Sequence, residues 1–217
     1  IYSLLTIYFR ANLVVIGMAI NIFAEGITTT MYRTIFGMSE GSSKVAAFDK
    51  VGPLLLPVYI GLVLVAVVHV IFGRTKIGLK IKGAGEYPQA LDSMGISVNR
   101  VRWLSVIIGS AIIGFGGAFL SIGELSFFTE NMVSGRGYIA LAAVIFGRYT
   151  PIGVLLAVLL FGAGEAAVYR FSAMGLGIPS QFILMIPYIL TLIVVAFFGH
   201  KGAGPKALGI PFSKEEQ

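Results

Sequence analysis

The 217-residue chain has no cysteine, two histidines and one tryptophan, and only 12% of its residues are charged. Without thiols, disulfides, thiolate catalysis and thiolate metal sites are excluded. His69 and His200 are too few for a histidine metal cluster. No G-x-x-x-x-G-K-[ST] phosphate loop is present, so the chain does not hydrolyse ATP by that route, and energy for any work it does must come from elsewhere. No basic segment and small-residue cleavage site precede the first apolar stretch, so that stretch is not expected to be a signal peptide. The first residue is Ile1 rather than Met, so the expectation is a piece of a longer protein.

What is present is apolar. The hydrophobic fraction is 57% and the mean hydropathy is +0.91. Charged residues stand at about half the ~25% usual in soluble domains. A water-soluble fold could not cover so much apolar side chain with so few charges. The expected fold class is therefore an all-α integral membrane protein. The net charge of +6 would suggest nucleic acid in a soluble protein. In a membrane protein it reflects Lys and Arg retained on the cytoplasmic side, and no nucleic-acid partner is expected.

A spanning helix needs about 20 mostly apolar residues. Residues 54–72, 103–122 and 178–199 meet this without an acid, Lys or Arg, and Trp103 stands at the entrance of the second as an interface anchor. Residues 152–170 contain Glu165 yet read as a span, and 13–36 contain Asn21 and Glu25. Residues 138–147 are too short alone; they end a broken helix starting near Asn131 or form a re-entrant half-helix, and are counted as a crossing. The expectation is thus about six transmembrane segments in one transmembrane domain over 1–217. Alternating them from a cytoplasmic residue 10 puts Arg10, Arg74, Lys76, Lys80, Lys82, Arg100, Arg102, Arg148, Lys201, Lys206 and Lys214 inside. Only Arg33, Lys44, Lys50, Arg136 and Arg170 remain outside, as the positive-inside rule favours.

The loop 73–102 has organised punctuation. Gly83 and Gly85 are expected to break its basic first half. Glu86 and Pro88 suit a first helical turn, and Gly95 suits a left-handed cap, which predicts a short helix over 88–94 between two spans. It is either a solvated connector or a docking helix that carries force from a cytoplasmic partner. Asn21 and Glu25 lie four apart and share a helical face, turned toward the bundle either to line a solute path or to bond a neighbouring helix. Ser110, Gly114 and Ala118 make a small-residue stripe suited to helix contact. In 124–137, Asn131, Ser134 and Arg136 could bond sugar hydroxyls or a base edge, with Phe127 and Phe128 as stacking faces. The plainer alternative is a simple outer loop with an arginine anchoring Glu130. Glu165 either lines the path or pairs structurally, loosely at best with Arg170. Residues 147–151 read as a tight turn, and Pro187 as a kink in the last span.

GLKIKGAGEYPQALDSMGISVNRVR, residues 78–102, resembles the cytoplasmic coupling loop of ABC importer permeases of the ribose/branched-chain amino acid class. Asn is commonest there where Tyr87 stands, and a second Ala where Leu91 stands. GMAINIFAEGITTTMYR, FFTENMVSGRGYIALAAVIFGRYTPIG and PKALGIPF resemble the nucleoside/simple-sugar branch of that class. The resemblance covers nearly the whole chain, and family members carry further N-terminal spans. It implies a multi-pass subunit of the bacterial plasma membrane, in contact with lipid, forming the solute pathway by alternating access. It implies as partners an ABC ATPase subunit that uses ATP-Mg, a second homologous permease subunit and an external solute-binding lipoprotein. No cofactor is expected in this chain. Gly85, Glu86, Pro88, Ala90, Gly95 and Ile96 would form the ATPase-coupling set. The competing readings are a proton-coupled secondary carrier using Glu25 or Glu165, and a membrane scaffold subunit that moves no solute.

Overall fold

The computed structural model describes residues 1–37, 48, 50–52, 54–125, 127–174, 185, 189, 192 and 204–212. Among them, four helices are long and apolar enough to cross a membrane. The first, α1, spans Leu13–Phe36. Its N-terminus is capped by Asn12, whose side-chain oxygen accepts from the Val14 and Val15 amides at 2.9 and 3.3 Å. Three threonines in α1 are satisfied by their own helix, since the Thr28, Thr30 and Thr34 hydroxyls donate to the carbonyls of Ala24, Gly26 and Thr30 at 2.7–2.8 Å. A two-residue antiparallel ladder follows, β1 (Lys50–Val51) with β2 (Leu54–Leu55). Then come α2 (Leu56–Arg74), α3 (Lys76–Glu86), α4 (Pro88–Ser93) and α5 (Val98–Phe119), the last running on into a wide π-helical turn, Leu120–Leu125. Helices α6 (Arg136–Phe146) and α7 (Pro151–Ala173) form a hairpin.

The expected spans at 13–36, 54–72, 103–122 and 152–170 coincide with α1, α2, α5 and α7. The expected span 178–199, with Pro187, lies outside the described residues. Helix α6 has 11 residues and is about 16 Å long at 1.5 Å per residue, about half of a hydrocarbon core. It does not run back to Asn131. Residues 131–135 form turns in which Asn131, Ser134 and Gly135 all have positive φ, a backbone that cannot continue a right-handed helix.

Two compact units emerge from the backbone, one made of 1–63, 71–134 and 205–217 and the other of 64–70 and 135–204. In the second, Ala143, Ala157 and Phe161 form the buried core between α6 and α7, with Ile139 and Phe146 packed against it. The Phe146 and Phe161 rings meet edge to face with centroids 5.8 Å apart. The expected tight turn at 147–151 is present. The Thr150 hydroxyl and amide both donate to the Gly147 carbonyl, at 2.7 and 3.0 Å, and Pro151 opens α7.

In the first unit, the buried cluster Ala84, Leu91 and Val98 joins α3, α4 and the start of α5. The stripe Ser110, Gly114 and Ala118 is exposed on α5, and no described atom lies within 4 Å of where a Gly114 Cβ would stand.

Candidate functional site

The loop 73–102 folds as two helices set against the base of α5. Thr75 caps α3, its hydroxyl accepting from the Gly78 amide at 3.2 Å. The expectation that Gly83 and Gly85 break this segment is corrected, because α3 runs through both. Their lack of a side chain serves packing instead. A Cβ at Gly83 would meet Leu91 Cδ1 at 3.4 Å, and one at Gly85 would meet Pro205 at 3.3 Å. Glu86 is likewise the last residue of α3, not a first-turn residue of α4.

Helix α4 opens on Pro88 and closes as its sequence predicts. Gly95 has φ +77°, its amide bonds the Asp92 carbonyl at 2.8 Å, and the Ile96 amide bonds the Leu91 carbonyl at 3.2 Å. Ile96 also packs on the buried cluster that contains Leu91. Those two bonds and that contact are a Schellman motif with its apolar clasp. Pro88 and Leu91 are buried, while Gln89, Ala90, Ser93 and Met94 face outward beside Tyr87. The helix therefore offers one small and polar face around Ala90, with Tyr87 and Met94 at its two ends.

The C-terminal segment 205–212 lies against this platform. The Ala207 amide donates to the Gly85 carbonyl at 2.9 Å, and Lys206 Nζ donates to Tyr87 Oη at 2.8 Å while standing 4.8 Å from the ring centroid. Arg102 donates to the Ile210 carbonyl at 2.8 Å and to the Ala84 carbonyl at 3.3 Å. Phe212 packs on the cluster of Ala84, Leu91 and Val98. Lys206 is held above its ordinary pKa, chiefly by the bond to Tyr87 and secondarily by nearby charge, including Glu86.

Of the residues expected along a solute path, Asn21 and Glu25 sit on exposed α1 surface, and among the described residues no hydrogen bond reaches the side chain of either; the Glu25 carbonyl accepts from the Thr28 hydroxyl at 3.1 Å. The Phe128 ring packs on Tyr32, centroids 4.8 Å apart, and Phe127 is half-buried. Asn131 and Ser134 are exposed in the turn, where the Asn131 carbonyl accepts from both the amide and the hydroxyl of Ser134 at 3.0 Å.

The plainer alternative, an arginine anchoring Glu130, is what the structure shows, and that arginine is Arg33. Glu130 accepts a two-pronged pair from Arg33, at 2.5 and 2.7 Å. Arg136 instead donates through Nε and Nη2 to Glu165 Oε1, at 3.2 and 3.1 Å, so Glu165 is paired across the α6–α7 hairpin rather than with Arg170.

The fork of Arg33 holds the Glu130 carboxyl below its usual range. A carboxylate with a depressed folded pKa contributes at pH above its unfolded value, and that contribution is lost as pH falls through the folded one. Acidification below the ordinary carboxylate range is thus expected to release the turn from α1. Spin labels at Thr34→Cys and Thr129→Cys, clean because the chain has no cysteine of its own, should report a broadened distance at low pH and a sharp one at neutral pH.

The family described as branched-chain amino acid transport system / permease component matches residues 1–195. The chain belongs to that family. It is 34% identical to the guanosine ABC transporter permease protein NupQ of Bacillus subtilis, over 99% of this chain and 73% of that one. It is 30% identical to the nucleoside ABC transporter permease protein NupC of Lactococcus lactis, over 100% of this chain and 74% of the relative. The putative glucose ABC transporter permease protein TsgC13 of Haloferax volcanii is 30% identical over 82% of this chain and 58% of its own length. No solved structure matches the chain.

The permease is a multi-pass membrane protein, and the resemblance to ABC importer permeases read from its motifs is borne out. What its sequence did not yield is the role of Lys206, Arg102 and Arg33. Lys206 lies in PKALGIPF and Arg33 closes GMAINIFAEGITTTMYR, so both stood within recognisable motifs, but their partners are 119 and 97 residues away. Helical periodicity carries no signal at such separations.

Proposed function

We propose that the permease is the pathway-forming subunit of an ABC importer for nucleosides, with simple sugars as the second choice, worked by alternating access under a partner ATPase. The observation that carries this reading is α4, a two-turn helix between two spans, anchored by Pro88 and Leu91 and presenting Ala90 outward. A partner's groove needs a small residue at the centre of such a face, and Ala90 supplies it. The loop would lie on the cytoplasmic side, where its bases accord with the positive-inside rule. A second permease subunit and an external binding lipoprotein complete the assembly. ATP-Mg belongs to the ATPase, and this chain adds no nucleotide-hydrolysing motif. Asn21, Glu25, Phe127, Asn131, Ser134 and the Arg136–Glu165 pair remain the candidates for contact with the solute. The relatives named for guanosine, nucleosides and glucose support the choice of cargo.

Ala90→Trp tests the docking face without touching the fold, because the side chain points away from the platform. The variant is expected to insert normally and to lose both ATPase co-purification and uptake, by about 100-fold for a bulky side chain at the centre of an interface. Gly95 is a poorer probe, since its positive φ makes any side chain there unwind the helix end. Reconstituted vesicles with labelled guanosine or ribose should take up solute only with ATP. Uptake that survives ATP removal and dies with an uncoupler would instead establish the proton-coupled carrier.

A further inference from the structure

We propose that residues 205–212 are a strap that holds the coupling helix α4 in register, with Lys206 and Tyr87 as its clasp, so that both are positioning residues for the transfer of force from the ATPase. This rests on the reading of α4 as the ATPase contact.

A six-residue helix has no stability of its own, because nucleation costs more than one turn of hydrogen bonds returns. Helix α4 is secured at its C-terminus by the Schellman bonds and along one face by Leu91. Its N-terminus is held by buried Pro88 and by the Tyr87 amide on the Gly83 carbonyl at 3.0 Å, but lacks a side-chain cap. Tyr87 stands at the N-cap position with φ −140° and ψ 71°, and makes no side-chain cap bond. A force on the outward face bears on the uncapped end, where the exposed Tyr87 side chain stands. The strap adds a hold on that side chain. Lys206 grips the Tyr87 side chain by a hydrogen bond and by its position over the ring, and the next residue, Ala207, ties its amide to the last turn of α3 through the Gly85 carbonyl.

The strap is itself anchored downstream. Arg102 bonds the Ile210 carbonyl and the Ala84 carbonyl together, joining α5, the strap and α3 at one guanidinium. The approach at Gly85 is close enough that a Cβ would press on Pro205 at 3.3 Å. The end of α3, the start of α4 and the base of α5 are thus fastened by one segment that is remote in sequence. Lys206 keeps its charge at physiological pH, since its pKa is raised.

The test uses the complete importer, with its ATPase and binding protein, in proteoliposomes. The reading is solute moved per ATP hydrolysed, and a variant that merely destabilised the chain would lower both in proportion. Lys206→Met and Tyr87→Leu are each expected to lower this ratio about fivefold, a modest coupling loss, with the ATPase still bound at normal stoichiometry. Lys206→Arg should restore it, and the double variant should be no worse than either single one. An unchanged ratio in assembled complexes overturns the strap, as does a double variant whose losses multiply.

Hydrogen exchange on the permease gives a second reading that needs no transport. The amides of α4 should exchange about tenfold faster in Lys206→Met, the loss of about 1.4 kcal/mol of local protection. Equal exchange overturns the strap even where the variant fails to assemble. A wild-type complex with no ATP-driven uptake would remove the transport reading itself, and the exchange result would then stand alone on whether 205–212 secures α4.

Discussion

Alanine at Gly153 is expected to prevent the α6–α7 hairpin from closing. A Cβ there would stand 2.6 Å from Thr150 Oγ1 and 2.9 Å from the carbonyl carbon of Gly147. A Cβ at Gly147 would in turn stand 2.5 Å from Gly153 C and from Val154 Cα. Each glycine is thus the space into which the other's backbone fits. All of the obstacles but Thr150 Oγ1 are main-chain atoms, so rotating that side chain alone does not relieve them. The turn must open, and with it go the Thr150 bonds to Gly147 and the edge-to-face contact of Phe146 on Phe161. Overpacking of this kind costs about 3 kcal/mol or more. Gly153→Ala and Gly147→Ala should each reduce the yield of monodisperse protein in detergent and lower its unfolding temperature. Gly114→Ala, on open α5 surface, is the control and should change neither in the isolated chain.

The second large effect is expected at Glu165. It stands in α7, eight residues before the helix ends at Ala173, or about 12 Å along the axis. Its Oε1 accepts both bonds from Arg136, with side-chain exposures of 42% for Glu165 and 30% for Arg136. Glu165→Leu takes from Arg136 the carboxylate that it bonds at 3.1 and 3.2 Å. A charged side chain at the centre of a bilayer costs roughly 2.5–3.5 kcal/mol, and less toward its edge, so weakening the pairing of Arg136 raises that cost. Arg136→Leu has the mirror-image defect. Each single variant should be markedly less stable in a denaturation titration in detergent micelles. The double variant Arg136→Leu/Glu165→Leu should recover most of the loss, because two apolar side chains need no partner in lipid. Recovery of folding without recovery of uptake would assign the pair to the solute path. Recovery of both would make it structural alone.

How much of this was legible before the structure follows from the range of each interaction. Four spans were readable because hydropathy over ~20 residues is a local sum. The end of α4 was readable at Gly95 because a left-handed cap is written in one residue. Gly83 and Gly85 misled because glycine carries two meanings, breaker and close contact, and only the partner decides between them. Here the partners were Leu91 and Pro205, one on the next helix and the other at the far end of the chain. The same limit hid the ion pairs. That an arginine would anchor Glu130 was readable, but not which one, because Arg136 is six residues away and Arg33 is 97. The turn at 131–135, with three positive φ values, separates Glu130 from Arg136, and each takes a partner from a distant helix. The clasp of Lys206 on Tyr87 was out of reach for the same reason.

One consequence follows from the wide turn at Leu120–Leu125. Bonds there skip one residue more than in an α-helix, a geometry that rarely persists beyond a turn. Helix α5 is thus a rod of about 33 Å, stiff where α3 and α4 clamp its foot and yielding at its tip. Under the proposed function, a thrust on the foot would be carried along α5 toward the far leaflet and be spent there, in bending this wide turn.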